Sequence, residues 1–212
     1  MSDIKLVGFD LDETLTTNNS WVDLNRGMGI TIAEDEELYR AHVSGELPYK
    51  DWLDKLTALY IKNGLASRKN IIDILKQYSL REGVRELIIE LKARGYYTAV
   101  ISGSSDVMVN LIKADLGLDF GLSNNTLVFN EDDILVETVT VGLDTEAKNE
   151  LLKQLCSSLS LDLTQCLYVG DGHNDLGVFA STGHGVTFRG MKIEDKAWRV
   201  IDHFSEILQL ID

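Results

Sequence analysis

Two aspartates near the start of the chain, Asp10 and Asp12, are the first residues whose types and spacing could support chemistry. They directly follow a short apolar run, Ile4 to Phe9, that is typical of a buried strand. Carboxylates this close repel each other unless a cation or a shared proton offsets the repulsion. A hard divalent cation such as Mg²⁺ suits oxygen ligands of this kind. An isolated Asp-x-Asp more often only begins a turn, so the interpretation depends on the other motifs.

Two further polar sites could meet the end of this first strand. Ser102 and Gly103 follow a second apolar run and are expected to open a helix, where a hydroxyl and backbone N–H groups can bind an anion. Serine is also a routine helix N-cap, so this signal is weak alone. Lys148 shares a helix face with an apolar stripe, where an unpaired charge would be costly. We therefore expect an anionic partner for Lys148, unless its long side chain extends into solvent.

The fourth site is the glycine-rich acidic turn Gly170-Asp171-Gly172-His173-Asn174-Asp175, which follows another apolar run. It places Asp171 and Asp175 four residues apart, and its glycines allow close approach of the backbone. A glycine-rich turn can be a turn and nothing more. However, all four sites fall at predicted strand ends or in the first turn of a predicted helix. Ligands of open parallel sheets bind beyond the carboxyl ends of the strands, so we expect the sites to converge.

The elements that must position these sites alternate between strands and helices from residue 81 onward. Alternation of this kind predicts an α/β fold: a Rossmann-like, mostly parallel sheet covered by helices on both faces. A helix from about residue 145 to 159 would carry Lys148. The predicted strands are 4–9, 96–101, 126–129, 134–141, 166–169, 185–188 and 199–201.

Residues 21–80 contain helical patterns and no convincing strand. Apolar residues recur at helical spacing between Lys50 and Asn63, and Ser67 is a plausible N-cap for the next helix. We therefore predict two domains: an α/β core of residues 1–16 and 81–212, and a small inserted α-helical cap of residues 17–80.

Composition excludes several classes of partner. The 212 residues carry a formal net charge of −14, which argues against binding to a nucleic-acid backbone. The sequence shows no apolar run long enough to span a bilayer and no signal peptide pattern. Its two cysteines, Cys156 and Cys166, lack metal-ligand spacing and are expected to be buried thiols. A cytoplasmic protein, monomeric or homodimeric, is the expectation.

Taken together, the four sites resemble the motifs of the haloacid dehalogenase superfamily of phosphohydrolases. Asp10 to Leu15 matches its first motif, Ser102 its second, Lys148 its third and Gly170 to Asp175 its fourth. Their order and spacing match as well, over nearly the whole chain. The helical insertion between the first and second motifs is similar to the cap of the subgroup that contains phosphoserine phosphatases.

The resemblance implies a Mg²⁺-dependent phosphatase that acts on a small phosphorylated metabolite. Asp10 would attack phosphorus and form an aspartyl-phosphate, and Asp12 would serve as general acid and then general base. The implied phosphate-binding residues are Ser102, Gly103, Lys148 and Asn174. The implied metal ligands are Asp10, Asp12 (through its backbone carbonyl), Asp171 and Asp175.

Three departures from the subgroup pattern concern the substrate. Asn19 stands where phosphoserine phosphatases carry a glutamate, the segment 52–60 contains no arginine, and Ser104 replaces a second glycine. These departures predict a substrate other than phosphoserine. Asn19, Trp21 and Trp52 are the candidates for substrate specificity, and packing or surface roles are the alternative. Other candidates for lining a cap pocket are Asn18, His42 and Tyr49.

Other functions fit parts of this pattern. A phosphotransferase or mutase would pass the phosphoryl group to a second substrate instead of water. A regulatory domain that accepts a phosphoryl group on aspartate also pairs carboxylates with a serine or threonine and a lysine. Asp12 and the cap argue against the regulatory domain, and a non-catalytic binding protein is disfavoured because every motif residue is present.

Overall fold

The structure is a computed structural model that describes residues 3–142 and 144–211, without the side chains of residues 144 and 145. Residues 1, 2, 143 and 212, which belong to the predicted core domain, lie outside the described residues. Within this part of the chain, seven strands form one sheet in the order β4-β3-β2-β1-β5-β6-β7. The strands are β1 Leu6–Phe9, β2 Tyr97–Ser105, β3 Phe120–Phe129, β4 Leu135–Thr140, β5 Cys166–Val169, β6 Gly185–Phe188 and β7 Arg199–Ile201.

The sheet is parallel except for the β3–β4 hairpin at one edge. Phe9, the last residue of β1, lies level with Val100 of β2 on one side and Val169 of β5 on the other. The chain therefore leaves β1 and β5 at the same edge of the sheet. This register brings the segments after residues 9, 101 and 169 together, as the sequence predicted.

Helices cover both faces of the sheet, which confirms the predicted α/β architecture. Neighbouring residues of β1, Leu6 and Val7, belong to two different hydrophobic clusters, because side chains alternate across a strand. The cluster around Val7 includes side chains of α5 and α6, and the cluster around Leu6 includes side chains of α7 and α8. The core helices are α5 Val84–Ala93, α6 Asp106–Leu116, α7 Asp144–Ser158, α8 Leu176–Thr182 and α9 Ile207–Ile211.

The insertion between β1 and α5 is helical, as expected. Ser67 caps the fourth of its helices, because its side chain accepts a hydrogen bond from the N–H of Asn70 at 3.2 Å. Apolar side chains of the insertion, such as Leu53 and Ile71, continue the cluster on one face of the sheet. The second helix differs from the others, since none of its residues is buried. The four helices are α1 Ser20–Gly27, α2 Ile32–Val43, α3 Tyr49–Lys62 and α4 Arg68–Leu75.

One expectation about the second motif was wrong. Ser102 does not open a helix: β2 continues to Ser105, and α6 begins at Asp106. The reason is pairing with β3, which starts at residue 120 rather than 126 and supplies partners for Ser102 and Ser105. Polar residues can extend a strand where a neighbouring strand satisfies the backbone groups.

Across the described residues, every helix is too short or too polar to cross a bilayer.

Candidate active site

Asp10 follows β1 directly and begins an irregular turn, Leu11–Leu15. Within this turn Glu13 adopts a left-handed backbone conformation with a φ of 57°, which is uncommon for residues other than glycine. Arg81 holds the turn from outside, because its guanidinium donates to the carbonyl oxygens of Glu13 at 2.6 Å and Thr14 at 3.1 Å. The first motif is therefore held in place by Arg81, the first residue of the predicted core segment 81–212.

Lys148, the residue of the third motif, connects the first motif to the fourth. Its Nζ lies 2.8 Å from Oδ2 of Asp10 and 2.8 Å from Oδ1 of Asp175, and its side chain is only 1% exposed. Burial opposes the charge of Lys148, but the attraction of both carboxylates keeps its pKa above the ordinary value. Burial likewise raises the pKa of Asp10 and of Asp175, against the attraction of Lys148. The predicted anionic partner thus consists of two carboxylates.

The glycine-rich turn after β5 wraps around the carboxylate of Asp175. Oδ2 of Asp175 accepts hydrogen bonds from the backbone N–H groups of Asp171 and Gly172, both at 3.0 Å. A Cβ atom on Gly170 would lie 2.4 Å from that same oxygen, so the turn requires glycine here. Thr14 reaches across from the first motif and donates to Oδ1 of Asp171 at 3.1 Å.

Asp10, Asp171 and Asp175 form an acidic cluster that fits a hard divalent cation. Each offers a carboxylate oxygen, and these oxygens all lie within 4.8 Å of one another. Burial, together with the charge of Asp175, raises the pKa of Asp171 to about 6, a sign of negative charge that a cation would relieve. A donor set made of oxygen atoms is the kind that Mg²⁺ prefers.

The carboxylate of Asp12 turns away from this cluster and toward the insertion. Its Oδ1 accepts from the backbone N–H of Ser20 and its Oδ2 from the Ser20 hydroxyl, both at 2.8 Å. Burial raises the pKa of Asp12 to about 7, although these hydrogen bonds oppose the rise. The Ser20 oxygen is also hydrogen bonded to the hydroxyl of Ser104. A carboxyl group with this pKa can give and take a proton near neutral pH.

The end of β2 supplies a third side of the site. The buried Ser102 hydroxyl accepts from the backbone N–H of Ser104 at 3.1 Å. The carbonyl oxygen of Gly103 accepts from the indole N–H of Trp21 at 3.0 Å and from the Asn125 side chain at 2.7 Å. Ser102 and Gly103 line a cavity of ≈ 290 Å³ together with residues of the other motifs: Asp10, Asp12, Asp171, Gly172 and Asn174.

The structure separates the cap candidates. Asn19, Trp21 and Trp52 all line this cavity, whereas Asn18 is not among its lining residues. Asn19 also has a structural role, because its side-chain oxygen accepts from the backbone N–H groups of Trp21 and Val22 as the N-cap of α1. Asn19 therefore lines the cavity and also caps a helix, and its part in substrate specificity stays a prediction.

Three side chains that position the site were not singled out from the sequence. Thr14 orients Asp171, Ser20 holds Asp12, and Asn125 ties Gly103 to the hydroxyl of Tyr49. Thr14 stands inside the first motif and could have been identified there. Ser20 and Asn125 carry no comparable signal, because their roles depend on contacts between segments that are distant in sequence.

The site combines a buried lysine–carboxylate cluster at the carboxyl edge of a parallel sheet with a second carboxyl group, Asp12, whose raised pKa suits proton transfer near neutral pH. Residues 4–183 match the family model of the haloacid dehalogenase-like hydrolases, and the chain belongs to this family. Together with the relatives described next, this membership makes the chain a phosphoric monoester hydrolase of that family.

The chain is similar to several proteins named phosphoserine phosphatase. It is 32% identical to that of Methanocaldococcus jannaschii, over 87% of this chain and 85% of the relative. It is 31% identical to that of Lactococcus lactis subsp. lactis, over 86% and 82%. Among solved structures, a phospho-aspartyl intermediate analogue of a phosphoserine phosphatase aligns with a TM-score of 0.79 and 31% identity, over 99% of each chain. A substrate-bound phosphoserine phosphatase complex aligns with a TM-score of 0.80 and 30% identity, also over 99% of each chain.

Proposed function

We propose that this chain is a Mg²⁺-dependent phosphatase that hydrolyses a small phosphorylated metabolite through an aspartyl-phosphate on Asp10. The observation that carries this proposal is the placement of Asp10: it is buried, 2.8 Å from Lys148, and opens onto a cavity that Asp12 also lines. A relative whose structure represents a phospho-aspartyl intermediate supports the covalent route.

Asp10 is held ready for attack by the residues around it. Its Oδ1 accepts from the backbone N–H of Leu11 at 2.7 Å and its Oδ2 contacts Lys148, which favours the ionised carboxylate despite burial. In the first step a bond forms between an Asp10 oxygen and phosphorus while the bond to the leaving oxygen breaks. This route divides the hydrolysis into two easier displacements.

Asp12 moves the protons in both steps. It gives its proton to the leaving oxygen in the first step and takes a proton from the attacking water in the second. Its pKa of about 7 allows both directions near neutral pH. The two hydrogen bonds from Ser20 fix the orientation of the carboxyl group, so the proton is delivered at one position of the cavity.

The remaining motif residues bind charge. Ser102, Gly103 and Asn174 line the cavity near Asp10 and would bind the phosphoryl oxygens together with Lys148. The cluster of Asp10, Asp171 and Asp175, with the backbone carbonyl of Asp12, would hold Mg²⁺, which when bound neutralises charge on the transferring group.

The test compares wild type with Asp10→Asn for phosphate release and for a covalent phosphoryl adduct after acid quench, measured by intact mass. We expect Asp10→Asn to lower kcat by at least about 10³-fold and to abolish the adduct. Asp73→Asn, which changes an exposed carboxylate on α4, is the control and should retain both. Full turnover by Asp10→Asn, or activity that survives chelation of divalent cations, would contradict the proposal.

The same measurements distinguish the rival functions. Phosphoryl transfer to an added alcohol in place of phosphate release would indicate a phosphotransferase or mutase. A long-lived adduct without turnover would indicate a regulatory domain; the proton-transfer position of Asp12 argues against it. The division into a core of residues 1–16 and 81–212 and a cap of residues 17–80, a cytoplasmic location and a monomeric or homodimeric state are further parts of this proposal.

A further inference from the structure

The cavity above Asp10 has two chemically different ends. The end formed by the core is polar and carries the aspartates, the serines and the glycine-rich turn already described. The part formed by the insertion is largely aromatic: besides Asn19 and Val43 its lining residues are Trp21, Tyr39, His42, Tyr49 and Trp52. A phosphoryl group bound at Asp10 would therefore direct its leaving group toward the aromatic end.

Three rings form the wall of that end. His42 of α2 stacks on Trp52 of α3, with ring centroids 5.3 Å apart and an angle of 7° between the ring planes. Tyr49 lies beside both, with its ring centroid 5.5 Å from His42 and 5.7 Å from Trp52. We call these three residues the aromatic wall. All three side chains line the cavity, so a ligand that enters it meets an aromatic, apolar surface.

The aromatic wall is fixed in place and carries polar groups at its edges. The Tyr49 hydroxyl accepts a hydrogen bond from Asn125 of β3 at 2.9 Å, which ties the wall to the core. Nδ1 of His42 lies 3.1 Å from the carbonyl oxygen of Leu47 and must donate to it, so Nε2 of the neutral ring is an acceptor. The indole N–H of Trp52 is buried and has no acceptor among the described residues.

The charges that line the cavity disfavour one kind of leaving group. Among the described residues, none of those lining this cavity is lysine or arginine. A carboxylate on the leaving group would therefore find no lysine or arginine in the lining and would face other carboxylates. The charged lining residues are Asp10, Asp12, Glu13 and Asp171.

We propose that the aromatic wall binds the leaving group of the phosphate ester and selects a neutral ring, either a sugar or an aromatic ring, over an amino-acid zwitterion. This inference rests on the proposed phosphatase function and specifies its substrate class. Sugar rings and aromatic rings both offer a flat apolar face to the aromatic wall, and a ring hydroxyl can donate to His42 Nε2. The cavity volume of ≈ 290 Å³ restricts the leaving group to a small one.

The test measures kcat and KM with four esters: glucose 6-phosphate, phenyl phosphate, glycerol 3-phosphate and phosphoserine. We expect wild type to prefer one or both ring esters to phosphoserine and to glycerol 3-phosphate, whose leaving group is neutral but acyclic. His42→Ala and Trp52→Leu should each lower that preference about fivefold to tenfold, mainly through KM, because stacking acts on bound substrate and transition state alike. Whichever ring ester shows the larger loss identifies the kind of ring.

Two controls separate selectivity from folding and from turnover. Ile61→Ala changes an exposed side chain of α3 outside this cavity and should leave the preference unchanged. Because Trp52 is buried and its replacement can unfold the protein, His42→Ala on the unburied helix α2 gives the same answer independently. Calorimetry of the four esters binding to Asp10→Asn should show, without turnover, the same order of affinity as the wild-type order of preference.

Wild-type preference for phosphoserine or glycerol 3-phosphate would overturn the inference, as would unchanged preferences in both wall variants. The phosphatase function would stand after any of these outcomes, because each preference is measured on turnover that depends on Asp10. Turnover that does not depend on Asp10 would instead remove the proposed function, while binding to the Asp10→Asn protein would still decide whether the wall selects rings.

Discussion

Lys148 is the residue on which the electrostatics of the site depend. It neutralises part of the charge of two buried carboxylates that contact its ammonium group, Asp10 and Asp175. Without it, Asp10 would lose ionisation and with it the ability to attack phosphorus. Because a buried charge is tolerated only with its partners, the same residue links stability to function.

Replacing Lys148 with methionine should destabilise the metal-free protein by about 3 kcal/mol at pH 8, because two buried carboxylates lose their counter-charge. The loss should be smaller at pH 5, where the carboxylates can take up protons. Urea unfolding in the presence of a chelator measures both values. Lys69→Met, which breaks an exposed ion pair with Asp73, is the matched control and should have no measurable effect. Equal effects of the two substitutions would show that the buried cluster does not depend on Lys148.

Asp171 should make the metal-free protein less stable as the pH rises. Its pKa is raised from 3.8 to about 6, so the folded state binds the proton more tightly than the unfolded state. Stability linked to this group is fully present below about pH 4 and is lost as the pH rises through about 6. Asp171→Asn lacks this loss, so its stability relative to wild type should increase by up to about 3 kcal/mol across that window.

Unfolding midpoints between pH 4 and pH 8, with a chelator present, test this prediction. Added Mg²⁺ should reverse the order of the two proteins, because binding to the folded state stabilises wild type more than the variant. If the stability difference between the two proteins is the same at every pH, the surroundings of Asp171 do not raise its pKa.

At the scale of elements, the start of α1 does more than begin the insertion. Ser20, its first residue, provides both hydrogen bonds to Asp12, while Asn19 caps the helix. The proposed proton-transfer group, Asp12, is thus oriented by a helix of the insertion, and the proposed nucleophile, Asp10, by the end of a strand. Catalytic geometry therefore depends on how these two elements pack.

Ser20→Ala should lower kcat about tenfold near pH 7, because one of the two hydrogen bonds that orient Asp12 is lost. A hydrogen bond to a carboxylate favours its ionised form, so removing it should raise the pKa of Asp12. The alkaline limb of kcat/KM, where Asp12 loses the proton needed by the leaving group, should move to higher pH. Thr31→Ala, which removes the exposed cap of α2, should leave the pH profile unchanged. A normal pH profile in Ser20→Ala would assign that limb to another group.

The elements also show where sequence patterns suffice. The strand before Asp10 and the strand before Gly170 were predicted because their residues are apolar throughout, as buried parallel strands require. The extension of β2 to Ser105 was not, because Ser102 to Ser105 are polar and their strand conformation comes from pairing with β3. Pairing between distant segments leaves no local periodicity in the sequence.

At the scale of the whole molecule, one edge of the sheet supplies the chemistry and the insertion supplies the other end of the cavity. The four motifs could be predicted to converge because parallel strands end at the same edge. The aromatic wall could not be assembled from sequence, because His42 and Trp52 stand ten residues apart on different helices and meet through packing of α2 against α3. The proposed substrate selectivity therefore depends on tertiary contacts of the insertion.

Adding a cation to the cavity should change that selectivity in a defined direction. Val43, 65% exposed near the end of α2, lines the cavity and lies where a helix tolerates a positive charge. Val43→Arg should raise kcat/KM for phosphoserine relative to glycerol 3-phosphate about fivefold, the effect of roughly 1 kcal/mol of new ion pairing. Val43→Gln controls for side-chain length without charge. Ile32→Arg controls for net charge, because Ile32 is exposed on the same helix but does not line this cavity. If Ile32→Arg changes the ratio as much as Val43→Arg does, while Val43→Gln leaves it unchanged, general electrostatics rather than a carboxylate partner would determine the ratio. If Val43→Arg alone raises it, a cationic partner in the cavity is what favours phosphoserine.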